Sequence, residues 1–88
     1  MTVDVAASAR RAFEAEARWR SRERLIEAMA RTTAQELQAQ VGRRRVAGEL
    51  VAVSQLGGGL YRIEIVAVDG TALLETVVLR REGGASAR

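Results

Sequence analysis

Residues 4–41, DVAASARRAFEAEARWRSRERLIEAMARTTAQELQAQV, run for thirty-eight positions without a glycine or a proline. Lacking the residue that loosens the backbone and the one that removes a donor, the stretch reads as helix, and at 1.5 Å per residue it would reach about 57 Å. The segments downstream read as strands of eight to ten residues, which span only about 30 Å. A sheet of that length covers roughly half of such a rod. The other half has to be solvated, folded back as a second helix, or held by another molecule.

A projection at 100° per residue gathers Ala12, Ala15, Trp19, Ile26, Met29, Ala30, Thr33, Leu37 and Val41 on one side of the helix. Large apolar residues are dense on it only from Ile26 onward. The opposite side carries Phe13, Ala17, Arg20, Arg24, Ala28, Arg31, Gln35 and Gln38, and it is polar and basic after its first two members. Residues 26–41 are therefore expected to pack on a sheet, and residues 4–24 to form a helical arm with no partner inside the chain. Thr2 or Asp4 is expected to cap the start, and Glu14–Arg18, Glu16–Arg20 and Glu27–Arg31 are spaced for i,i+4 ion pairs. Thr33 and Glu36 have capping-box spacing, which would restart the helix at Thr32-Thr33. Because Ile26, Met29, Ala30, Thr33 and Leu37 stay in phase across that point, one continuous helix is the favoured expectation and a kink the alternative.

Gly42 reads as the residue that closes the helix, with Arg43, Arg44 and Arg45 beside its negative end. Residues 46–55, 60–68 and 71–81 read as strands of a three-stranded antiparallel meander, joined by a loose loop at Leu56-Gly57-Gly58-Gly59 and a tight turn at Asp69-Gly70. A two-residue turn pairs Val68 with Thr71, hence Ile65 with Leu74, Ile63 with Thr76 and Tyr61 with Val78. The opposite face then holds Glu64 against Glu75 and belongs in water, although Leu60, Val66, Leu73, Val77 and Leu79 make it unusually apolar. For the first strand, the expected register points Leu50 and Ala52 inward and Glu49 out. The expected fold is α+β, a single small domain of residues 1–88: an arm at 4–24, a helix-plus-sheet body at 25–81 and a flexible tail at 82–88.

With 88 residues the core is near the lower limit for independent stability, which makes a partner more valuable. The absence of cysteine removes disulfides and thiolate chemistry, and with no signal-peptide pattern in residues 1–8 a cytoplasmic location is expected. No apolar run approaches the ~20 residues of a membrane span. Without His or Cys the usual soft metal ligands are missing, and without His, Cys or Lys a serine has no conventional base. The glycine triplet at 57–59 has no following Lys-Ser or Lys-Thr and leads into a strand, so it is no phosphate loop. No enzyme, cofactor, metal or small-molecule substrate is expected.

The fourteen basic residues are all arginine, and ten of them fall in residues 1–45 against six acids. The sequence supports two readings of that excess. In the first, Phe13, Trp19, Arg20, Arg24 and Arg31 anchor a protein partner or a second copy, with Leu60, Val66, Leu73, Val77 and Leu79 as a further contact face or an open sheet edge beside it. The chain is then a non-enzymatic accessory or structural subunit of a larger assembly. In the alternative, Arg10, Arg11, Arg18, Arg22, Arg43, Arg44 and Arg45 contact nucleic-acid phosphates. No aromatic stacking platform supports the alternative, since Tyr61 falls on the core face.

Overall fold

The computed structural model describes residues 5–80; the expected cap at Thr2 or Asp4 and the tail at 82–88 lie outside them. The described chain runs α1 (Val5–Ala30), α2 (Ala34–Ala39), β1 (Gly42–Val46), β2 (Glu49–Gly57), β3 (Leu60–Val66) and β4 (Ala72–Leu79). The strands form one antiparallel sheet in the order β1-β2-β3-β4. The architecture is the expected α+β arrangement, with four strands instead of three.

Two corrections concern the helix. It breaks where the capping box stands: Thr33 is extended (φ −74°, ψ 163°) and its hydroxyl accepts the Glu36 N–H at 3.2 Å. Thr32 turns its hydroxyl back onto the Met29 carbonyl at 2.7 Å, and the Arg80 guanidinium donates to the Ala30 carbonyl and, at 3.1 Å, to the Thr32 carbonyl. The carbonyls left over at the end of α1 thus find donors, as a buried helix end requires. Phase continuity gives way to these contacts, and Leu37 on α2 is still fully buried in the core.

The arginine triplet is not a helix-end cluster. Arg43, Arg44 and Arg45 form β1, an edge strand paired Arg43 to Ala52, Arg44 to Val51 and Arg45 to Leu50. Charged side chains on an edge discourage further strand addition. The turn that makes this extra strand is Ala47-Gly48, with φ of 51° and 81°, so both central residues are left-handed as a type I′ hairpin demands. Alanine is an uncommon first residue for that turn, and this is why the sequence shows no break between Val46 and Glu49.

With β1 in place the parity of β2 is settled, opposite to expectation. Val51 and Val53 are buried in the core with Ile63, Ile65 and Tyr61, and Leu50 is only half-buried. Glu49 consequently points to the helix side. It is tolerated there because Arg22 of α1 reaches it, Nε to Oε1 at 3.1 Å.

The β3–β4 pairing follows the expected register over most of its length: Ile65 faces Leu74, Glu64 faces Glu75, Ile63 faces Thr76 and Tyr61 faces Val78. Near the turn it differs by one residue. Ala67 O accepts the Gly70 N–H at 2.9 Å and Thr71 O accepts the Ala67 N–H at 2.8 Å, so the loop has three residues, Val68-Asp69-Gly70. Val66 then faces Ala72, and a bulge at Leu73 restores the register beyond it.

The core is Ile26, Met29, Leu37, Val51, Val53, Tyr61, Ile63 and Ile65, flanked by half-buried Leu25, Ala30, Val46, Leu73, Leu74 and Val78. Every helical contributor to it follows Ser21. From Val5 to Ser21 each residue is exposed except the half-buried Ala7. The twenty-six residues of α1 span about 39 Å, and only the last third lies on the sheet. The molecule measures 68 × 25 × 17 Å with a radius of gyration of 17.2 Å, against about 12 Å for a compact chain of this size.

Candidate functional site

The projecting turns of α1 carry most of the residues that the sequence marks for contact. Phe13 is 72% exposed and Trp19 41% exposed, neither joining the core. Arg10, Arg11, Arg18, Arg20, Arg24 and Arg31 are all exposed. Of the three expected i,i+4 ion pairs only Glu16–Arg20 forms, at 2.6 Å, with both side chains more than half in solvent. Such a pair contributes about 0.3–0.5 kcal/mol. Arg24 Nε also donates to the Arg20 carbonyl at 3.4 Å. The arm is thus held as a helix by backbone bonds, alanine propensity and one weak surface pair, without a packed face.

Phe13, Glu16, Ala17 and Arg20 border a shallow depression of about 60 Å³ on the side of the arm turned from the sheet. It is too small for a ligand.

The outer sheet face is a smaller patch than the sequence implies. Leu60, Val77 and Leu79 are 39%, 50% and 50% exposed, and Leu60 faces Leu79 across the β3–β4 ladder. Val66 is 6% exposed, and the bulge brings Leu73 round to pack against the core, so both leave the proposed contact set. Arg62 and Glu75 form an ion pair at 3.1 Å beside the patch. That pair relieves the carboxylate repulsion between Glu64 and Glu75, which face one another across the ladder.

A groove that sequence reading does not find opens where α1 passes over the end of the sheet. Arg18 and Arg22 come from the helix, Arg45 from β1 and Glu49 from β2, around a volume of about 370 Å³. Leu50, Val66, Val68 and Leu73 supply its apolar wall. Arg22 is half-buried and held by Glu49, whereas Arg18 and Arg45 are exposed. The sequence signal for it is the Glu49 register: an inward Glu49 demands a cation overhead, and Arg22 is the helix residue in reach.

Arg80 is the other residue missed. It ties the end of β4 to the joint between α1 and α2 by two carbonyl contacts, to Ala30 and Thr32, and donates a third bond to its neighbour Leu79. No local pattern announces a contact across about fifty positions of sequence.

Among the described residues, no group of three or more His, Cys, Asp or Glu is placed to hold a metal ion, and no helix is long and apolar enough to cross a membrane. Comparison with protein-family models, curated proteins and solved structures gives no match.

Proposed function

We propose that this chain is a non-enzymatic accessory subunit that works by protein–protein contact, docking its α1 arm on a partner within a larger homo- or hetero-oligomeric assembly. One observation carries the reading: an arm exposed from residue 8 to residue 21 presents Phe13 at 72% and Trp19 at 41% exposure, and neither packs into the core of the described chain. Aromatic and arginine side chains together are the usual anchors of protein interfaces. The patch at Leu60, Val77 and Leu79 is the second contact. With no cysteine in the chain, the cytoplasm is the location proposed.

The test is co-purification from the native host with the full chain, read against a Phe13→Ala/Trp19→Ala variant. A protein recovered stoichiometrically with the unaltered chain and lost with the variant supports the proposal; equal recovery with both contradicts it. Sedimentation of the pure chain decides whether the partner is a second copy.

The alternative, a nucleic-acid module, draws on Arg43, Arg44 and Arg45 along the exposed edge of the sheet. Against it, Arg22 is engaged by Glu49. A DNA or RNA titration at two salt concentrations separates the readings. Phosphate contacts produce a steep salt slope, and no binding at low salt removes the alternative.

A further inference from the structure

The geometry points to the groove between α1 and the hairpin turns of the sheet as a binding site for a single-chain organic anion, a carboxylate or phosphate head on an apolar tail. Three arginines from two separate elements line it, and the one acid among the lining residues, Glu49, is already taken by Arg22 at 3.1 Å. A net positive rim therefore remains, carried by Arg18 and Arg45. Guanidinium groups on a partly enclosed rim hold carboxylate or phosphate oxygens by charge-assisted, often bidentate, hydrogen bonds.

The head alone does not account for the site. Half-buried Leu50 and Leu73 line the same groove beside the nearly buried Val66, and an inorganic anion or a nucleic-acid backbone would leave their remaining apolar surface unused. An apolar tail would cover it. The volume of about 370 Å³ falls at the small end of ligand pockets. This matches one head group and a short chain. Phe13 is not among the residues that line the groove, whereas Arg18 belongs to the arm itself.

The test uses the full chain and three probes followed by amide chemical shifts: octanoate, which has head and tail, acetate, which has the head alone, and octanol, which has the tail alone. Octanoate is expected to saturate with a Kd of about 1 mM, the affinity a ligand of this size reaches at ordinary efficiency. Shifts should centre on Leu50, Val66 and Leu73, and both half-probes should bind at least fivefold more weakly. Arg18 and Arg45 are exposed, so Arg18→Gln/Arg45→Gln leaves the fold intact and should weaken octanoate about tenfold. A Phe13→Ala variant should bind it unchanged. Four results overturn the inference: no saturable shift with octanoate, octanol or acetate binding as tightly as octanoate, an unchanged Kd in the double arginine variant, or shifts centred on Leu60, Val77 and Leu79 instead.

Discussion

Two backbone positions set the shape of the sheet, and both can be tested by single substitutions. Ala47 sits at φ 51°, a conformation that a Cβ disfavours by about 1–2 kcal/mol and that asparagine tolerates better. Ala47→Asn should therefore raise unfolding stability by roughly 1 kcal/mol in a urea titration. Gly59 is under the opposite constraint. Its φ is 83°, and a Cβ there would stand 2.6 Å from the Arg80 carbonyl oxygen, while its own carbonyl accepts the Arg80 N–H at 2.7 Å. Since backbone on both sides of that contact is fixed, Gly59→Ala should cost more than about 2 kcal/mol in the same titration. Asp69 gives a pH signature. The Thr71 backbone N–H, with its side chain in support, hydrogen-bonds the carboxylate and holds Asp69 below the ordinary aspartate range. A group depressed in the folded state stabilises above its unfolded pKa, and that contribution is lost as pH falls through the lower folded value. Carboxyl shifts in an acid titration should place Asp69 below an unstructured aspartate, and Asp69→Asn should flatten that part of the stability profile.

At the level of elements, legibility followed how local the deciding interaction was. The β3–β4 ladder was readable because alternation along residues 61–65 and the Asp69-Gly70 turn constrain one another. Even a one-residue error at the turn was absorbed by the Leu73 bulge. The first hairpin was not readable, since Ala47 gave no turn signal and β1 is built of arginine. Without β1 the parity of β2 had only the awkwardness of Glu49 to decide it, and a salt bridge to Arg22 removes that awkwardness. The break in the helix was written in Thr33 and Glu36, yet the guanidinium that completes it comes from Arg80 at the far end of the chain. Arg80→Ala should leave the Ala30 and Thr32 carbonyls without their donors and cost about 1–3 kcal/mol, with a matching gain in hydrogen exchange at α2. Arg80→Lys, which lacks the planar fork, should recover only part of the loss. Of the candidate sites, the arm was visible in sequence as surplus helix, whereas the groove needed Arg18, Arg45 and Leu50 to be brought together by folding.

For the whole molecule, the decisive quantity is the mismatch between a helix of about 39 Å and a sheet that supports only its last turns. The long dimension of 68 Å against 25 and 17 Å expresses it directly. An isolated helical segment of this length is marginal in water, so the arm should open far more readily than the body. Substitutions at Phe13 should accordingly leave the stability of the free chain within about 0.5 kcal/mol. Residue-resolved hydrogen exchange on the full chain, at a dilution where sedimentation shows a monomer, tests this most directly. Amides of residues 9–21 should exchange orders of magnitude faster than those of Ile26, Met29, Val51 and Ile63. Equal protection of the arm and the core in that monomer would contradict the account.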